Sequence, residues 1–574
     1  MKKFLIALLG CFTLIILRAQ QLKGLVFDDP HPFTIKELKL ATESIPVSLT
    51  LFSVEIDKER MDASSARFSD ILSGKGLHVL IVPRSTFNDG CKVSVTFTNN
   101  GKVPIAISNI VPFGAADDHY YISGKALADT SRSYFYRPSV EPLSVIVPHN
   151  SNDLNFGVVE LQGNKTVFGL LRRSNDSIQN YLLNRRPYIL QPGKSMGFDF
   201  FADVVAGDWH DALRKCFQGK KLYEVQKFDN GLYQRKDLDY IRHSYTMHLL
   251  MAWDKDYYDA SDSSYHVKGF LTKMRMLYGG DDIFTIWPTW PVLGLDQRTQ
   301  WNLMENLPGG MQMQRELSQE VHSFGGKYFI SYNPWDDRDE TASLRKMTSI
   351  IHDVDADGVV LDTKAEASAA LQAAADKAKP GVILYSEGMA VPRDMQGIIS
   401  GRVHNDIYYP PVLNLNKLIM PDFGIFRVVE INKERVRREY SLALFNGYGV
   451  EVNVARPGRP DWVDDDYRYW GRCVRILHES SNNFNSSEWT PLIGTLKDRI
   501  YVNEWPGKRK TIFTLFSLLP GGFHDNLFHV DVDNSQHLVD LWNHENVELR
   551  TIDNEKFAVA NLEAFDPKYL GTNN

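Results

Sequence analysis

The chain has 574 residues, 43% hydrophobic and 24% charged, with 39 Gly and 26 Pro, a composition that folds and fits neither a collagen repeat nor a disordered polymer. Its 64 Lys and Arg against 71 Asp and Glu leave a formal charge of −7, which gives no electrostatic pull toward a phosphate backbone and argues against a nucleic-acid partner. At about 150 residues per domain, the length implies three or four domains.

Lys2 and Lys3 precede a mostly apolar run from Phe4 to Leu17, which Arg18, Ala19, Gln20 and Gln21 close. This is the pattern of a secretory signal over residues 1–20, cleaved near Ala19, and the run is too short to span a bilayer. A second route is lipid attachment at Cys11 within Leu8-Leu9-Gly10-Cys11. The apolar stretch that continues past Cys11 favours the first. No later segment reaches the ~20 apolar residues of a transmembrane helix, so the expectation is an exported protein, periplasmic or extracellular, with no transmembrane segment. Cys91, Cys216 and Cys473 then remain, too scattered for a disulfide framework; buried free thiols are favoured over a single Cys91–Cys216 bridge.

Residues 21–228 carry many short period-two or fully apolar runs, punctuated by turn pairs such as Asp89-Gly90, Asn100-Gly101 and Pro192-Gly193. That pattern predicts an antiparallel β-sandwich, with a helix from Asp208 to Phe217 leading out of it. From 237 to 483 strand and helix alternate. Strands are expected at 245–253, 282–287, 327–332, 358–363, 381–387, 403–409, 424–430 and 449–454, separated by helical stretches such as "GGMQMQRELSQEVHSF" and "AEASAALQAAADKA". Eight such units match a (β/α)8 barrel. Residues 490–574 return to strand pattern and predict a small C-terminal β-domain.

Several motifs fail on context. Gly193-Lys194-Ser195-Met196-Gly197 fits GxSxG, yet sits between two strands rather than at a strand-to-helix elbow. Asp353, Asp355 and Asp357 open like a calcium loop, but its twelfth position is Lys364 where a bidentate Glu is required. His478-Glu479 lacks the second His of a zinc-protease helix. No cofactor and no protein-ligated metal is expected.

The carboxylates are the informative residues. In a (β/α)8 barrel the C-terminal ends of the strands converge on one mouth. Asp254 and Asp256 follow the first expected strand, Asp336 and Asp337 the third, Asp362 ends the fourth, Glu387 the fifth, Asp406 lies in the sixth and Glu430 ends the seventh. Trp253, Trp287, Trp290 and Trp335 fall on the same rim, and flat aromatic faces suit sugar rings. Acids paired with such faces favour glycoside hydrolysis, in which one carboxylate attacks or activates water and another protonates the leaving oxygen.

The stretch "GGMQMQRELSQEVHSFGGKYFISYNPWDD", followed by "DGVVLDTK", resembles the third and fourth strands of clan D glycoside hydrolases, family 36 α-galactosidases above all. "GRVHNDIYY" is similar to the clan's sixth-strand segment and "FNGYGVEVNV" to its eighth-strand approach. The resemblance implies an N-terminal β-sandwich, a catalytic barrel and a C-terminal β-domain, acting on an oligosaccharide or polysaccharide. It makes Asp362 the nucleophile and Asp406 the acid/base of a retaining exo-glycosidase for a terminal α-linked sugar. Trp253, Asp254, Asp256, Trp287, Trp290, Trp335 and Asp336 are the candidates for holding that sugar. The sequence departs from the pattern in two places: Val360 stands where the clan usually has Lys, and "YSEGMA" makes Glu387 a rival proton donor. Glu430 as a seventh-strand nucleophile and a sugar-binding barrel without catalysis are the competing readings.

Overall fold

The structure, a computed structural model, describes residues 21–29, 31–87, 90–124, 133–146, 155–173, 188–219, 227–289, 295, 297–336, 339–403, 411–432, 435–454, 459–533 and 535–564. The signal-like run with Cys11 and Ala19 lies outside the described residues. The chain divides into two units, one formed by residues up to Gln226 together with Pro411–Ile419, the other by Lys227–Pro410 and Met420–Asn574.

The first unit is antiparallel. Its strands fall into a three-stranded, a nine-stranded and a four-stranded sheet, and alternation sets their faces: Gly90–Asn99 buries every second residue from Cys91 onward. Phe33, Phe52, Phe68 and Phe97 meet edge-on or tilted in its core. Ser195 begins the strand Ser195–Ala206, so the GxSxG stretch is a strand entry. The helix Trp209–Gln218 is capped by Asp208, which accepts the His210 and Asp211 N–H groups. A late segment returns to this unit: Leu413–Asn414 pairs in parallel with Leu143–Ile146 at the edge of the large sheet.

The second unit contains a closed parallel barrel of eight strands. We number them β1 (Thr246–Met251), β2 (Ile283–Trp287), β3 (Lys327–Tyr332), β4 (Gly358–Leu361), β5 (Ile383–Ser386), β6 (Ser400–Val403), β7 (Gly424–Ile431) and β8 (Gly449–Val454). Every residue of β2, β4, β5 and β6 is buried, as expected of parallel strands covered on both faces. The barrel closes through β1 on β8, with Met247 opposite Glu451. Helices α1 (Val267–Tyr278), α2 (Gly310–Ser323), α3 (Glu340–Val354), α4 (Ala369–Ala378), α5 (Arg437–Phe445) and α6 (Val463–Glu479) accompany it. Asp339 caps α3 by accepting the Ala342 N–H (3.2 Å) and Ser368 caps α4 by accepting that of Leu371 (3.2 Å).

The sixth strand corrects the sequence expectation. Its described part is Ser400–Val403, so it begins three residues before the expected 403, and residues 404–410, Asp406 among them, lie outside the described residues. Ser400-Gly401 reads as a turn, yet Gly401 is there for close packing. A Cβ on it would lie 2.1 Å from Ser386 Oγ and 2.9 Å from the Gly388 carbonyl. The C-terminal strands pair as Ile500–Trp505 with Ile512–Ser517, and as Phe523–His529, Glu555–Leu562 and Leu549–Ile552 in one sheet. Cys91, Cys216 and Cys473 are buried free thiols, and burial pushes Cys91 up to about 12. Among the described residues no helix is long and apolar enough to cross a membrane.

The acidic run before β4 is a structural anchor. Asp355 closes α3 in the left-handed conformation (φ +57°) and pairs with Lys379 Nζ at 2.6 Å. Asp357 accepts from His322 Nε2 (2.6 Å), the Tyr328 N–H (3.0 Å) and Lys379 Nζ (3.1 Å). Burial works against its charge, but these donors and Lys327 outweigh it and hold the carboxyl at about 2. A carboxyl depressed in the folded state stabilises it above the unfolded pKa, and the contribution disappears as pH falls through the folded value. Asp357→Asn is therefore expected to cost about 2 kcal/mol at neutral pH, a gap that closes as pH drops from about 4 to about 2. Thermal unfolding midpoints across that range check it, and a gap independent of pH would contradict it.

Candidate active site

The C-terminal ends of β3, β4 and β5 bring one group of side chains together. Asp362 follows β4, its backbone N–H bonded to the Tyr332 carbonyl at 2.9 Å. Asn333 Nδ2 and Trp335 Nε1 both donate to Asp362 Oδ2, at 2.6 and 2.7 Å. The Asn333 amide is itself oriented: its Oδ1 accepts from Thr289 Oγ1 (3.0 Å), so its NH2 faces the carboxylate. Gln300 clamps the same turn, taking the Asn333 N–H at 2.6 Å and giving Nε2 to the Asn333 carbonyl at 2.7 Å.

Glu387, at the end of β5, is the second carboxyl and the neighbour of Asp362, the two following the paired residues Leu361 and Ser386. Burial and this neighbouring acid raise the Asp362 pKa above the usual carboxylate range, against the pull of the Trp335 and Asn333 donors. The Thr363 N–H donates to Glu387 Oε2. To aim it there, Thr363 takes φ +60°, a left-handed conformation that costs a β-branched residue roughly 1–2 kcal/mol. Such strain is characteristic of functional sites.

Arg402 of β6 lies behind Glu387. Its Nη2 bonds Glu387 Oε1 and its Nε donates to the Glu387 carbonyl at 3.1 Å. Its Nη1 reaches Glu451 Oε1 of β8 at 2.6 Å, and Tyr385 Oη donates to Glu451 Oε2 at 2.6 Å. Arg402 is 5% exposed and Glu451 0%, so this is a buried ionic rod from the barrel interior to its mouth.

Of the residues singled out in the sequence, Asp362, Glu387 and Trp335 meet. Trp335 is 54% exposed, an indole face open at the mouth. Trp287 is 5% exposed and counts among the buried core residues. Asp336 accepts the Gln300 N–H at 2.9 Å, at the first residue of the short helix Gln300–Glu305. Asp254 is 7% exposed, accepts the Asp256 N–H at 2.8 Å and has its pKa raised by burial. Asp256 pairs with Arg459 at 2.5 Å, and Arg459 lies over the Phe270 ring. Trp253 stands beside them, half-buried. Among the described residues these three have no hydrogen bond or ion pair with the Asp362 cluster. Glu430 is exposed at the end of β7. Asp406 and Trp290 lie outside the described residues. Sequence reasoning missed Asn333, Thr289, Gln300, Arg402 and Glu451. A polar or charged residue inside an otherwise apolar strand, as in "SGRV" and "GVEVNV", was the available signal for the last two.

No family model and no curated protein matches the sequence. Among solved structures the chain is similar in fold to glycoside hydrolases. A GH36 α-galactosidase variant, AgaA from Geobacillus stearothermophilus in complex with stachyose, aligns at 10% identity over 93% of this chain and 90% of that one, with a TM-score of 0.43. AgaB from the same organism aligns at 10% identity over 81% and 76%, with a TM-score of 0.41. An α-amylase from Geobacillus thermoleovorans, complexed with acarbose, aligns at 13% identity over 56% of this chain and 96% of that one, with a TM-score of 0.38.

Asn333→Ala removes one of the two donors on Asp362 Oδ2 and leaves Thr289 Oγ1 without its acceptor. It is expected to destabilise by about 1–3 kcal/mol and to move the Asp362 titration further up, since a bond to the ionised form is lost. Thermal unfolding and carbon-13 NMR of labelled Asp carboxyls read the two effects; an Asp362 midpoint that stays or falls would refute the assignment.

Proposed function

We propose that the barrel mouth hydrolyses a glycosidic bond, with Asp362 as nucleophile and a terminal α-linked sugar as substrate. The supporting observation is the surroundings of Asp362: two donors converge on one oxygen at the end of β4, a second carboxyl neighbours it at the end of β5, and an exposed indole stands beside it. Because Oδ2 is engaged by Asn333 and Trp335, Oδ1 is the oxygen that attacks the anomeric carbon. One proton lies between Asp362 and Glu387. As positive charge develops on the sugar it favours the ionised form of Asp362, and the proton passes to Glu387.

Asp406 is assigned the acid/base role on the sequence resemblance. It gives its proton to the leaving oxygen in the first step and takes one from water in the second, when water cleaves the glycosyl–Asp362 ester and regenerates the carboxylate. Glu387 is the weaker candidate for that role, since its two oxygens are taken by Arg402 and the Thr363 N–H. The Trp335 face packs against the apolar side of a sugar ring.

A screen over aryl α- and β-glycosides tests the reading, with proton NMR reporting the anomer first released. Asp362→Ala is expected to lower turnover by several orders of magnitude, and Asp406→Ala to be partly restored by a substrate with a good leaving group. Loss of activity in Glu387→Ala with Asp406→Ala unaffected would move the acid to Glu387. Sugar binding without turnover on any substrate would leave a lectin-like barrel instead.

A further inference from the structure

The rod behind Glu387 has no role in attack or protonation, yet it places two charges and a phenol where water does not reach. Arg402 could satisfy Glu387 alone. Instead its guanidinium is divided between Glu387 and Glu451, and Glu451 is fixed in turn by Tyr385 Oη. Tyr385 is fully buried, and burial together with the facing Glu451 carboxylate holds its phenol protonated. Burying an ion pair of this kind is not in itself a gain in stability, and the neighbouring inward position Val360 is apolar, so the interior could have been closed without charge. With Asp362, Glu387 and Glu451 as carboxylates against one guanidinium, the rod carries two negative charges in excess.

We propose that Glu451 and Tyr385 are positioning residues that act through Arg402 to keep one proton between Asp362 and Glu387. Glu451 draws off part of the Arg402 charge, so that Glu387 is not fully neutralised and the pair retains its proton. Tyr385 limits that draw by donating to Glu451. Among the described residues, the groups bonded to the pair are Asn333 and Trp335 from the loop after β3, the Thr363 N–H from the loop after β4 and Arg402 from β6, with Glu451 from β8 and Tyr385 from β5 behind Arg402. Asp336 and Lys364 are charges on the adjoining loops. All of these except the substituted residue are common to wild type and each variant, so a difference between them isolates the rod. The inference deepens the hydrolytic reading, but its test needs no substrate.

The experiment is a carbon-13 NMR titration of the full-length chain labelled at Asp and Glu side-chain carboxyls, with Asp362→Asn and Glu387→Gln to assign the two resonances. Glu451→Gln removes a negative charge and frees Arg402 for Glu387. The upper midpoint of the pair is expected to fall by about one pH unit, a tenfold loss of proton affinity. Tyr385→Phe keeps the ring and removes a dipole that offsets the Glu451 charge; the same midpoint is expected to rise. Shifts of opposite sign are not what loosened packing would produce. Glu451→Asp, which keeps the charge, is expected to return the midpoint toward wild type. Midpoints unchanged in folded variants, or moved the same way by both, would overturn the proposal. If Glu451→Gln does not fold, Tyr385→Phe decides alone, an unchanged or lowered midpoint counting against it. A chain that hydrolyses no glycoside but shows these shifts would retain the rod and discard the hydrolytic reading.

Discussion

The Arg402 guanidinium reaches two carboxylates at once, Glu451 through Nη1 and Glu387 through Nη2, from a strand position that is almost wholly buried. Taking the charges of Arg402 and Glu451 out of water is costly unless each is paired and hydrogen-bonded, and this fork meets both conditions. Its planar geometry matters, because a Lys at 402 would supply one point charge and could not face two carboxylates from opposite sides. Glu387 then has a fixed direction, and Glu387 in turn fixes what Asp362 meets. The arrangement of the mouth therefore depends on an ion pair formed well below it, between strands β6 and β8.

Strand β4 shows how one short element can serve two ends. Its four residues, Gly358–Leu361, separate Asp357 from Asp362. At the lower end Asp357 is surrounded by donors and cations and is held ionised. At the upper end Asp362 has burial and a second acid against it and titrates high. The carboxyl is the same group in both places, and the opposite shifts come from its neighbours. This follows the division of such barrels into a lower face that serves stability and an upper face that serves chemistry. The motif reading of Asp353, Asp355 and Asp357 as a broken calcium loop found the right cluster but not its use, since Lys379 and Lys327 are the cations it meets and His322 a further partner.

The barrel was legible because its signal is periodic: apolar runs separated by helical stretches at regular intervals, with acids at the ends of the runs. Asp362 and Glu387 followed from that placement. What sequence could not supply was direction. Trp287 and Trp335 both fall near strand ends, and nothing in their neighbours says that one faces the core while the other stands at the mouth. The start of strand β6 was set too late because Ser400-Gly401 has the chemistry of a turn; its glycine answers to Ser386 on the neighbouring strand β5, a contact that only strand pairing creates. Asn333 was passed over for the same reason. Its importance lies in Thr289 and Asp362, which come from two other strand ends.

The two donors on Asp362 Oδ2 also constrain what happens if Oδ1 forms a bond. A carboxylate that becomes an ester through one oxygen keeps the other as a carbonyl, which still accepts hydrogen bonds. Asn333 and Trp335 lose no acceptor in that step, although each bond weakens as the charge leaves. The indole, exposed on its outer face, is thereby kept in one orientation whether Asp362 is free or glycosylated. A donor placed on Oδ1 instead would have to be broken before attack, at a cost paid in the barrier. Convergence of both donors on a single oxygen leaves Asn333 and Trp335 in place while the other oxygen reacts.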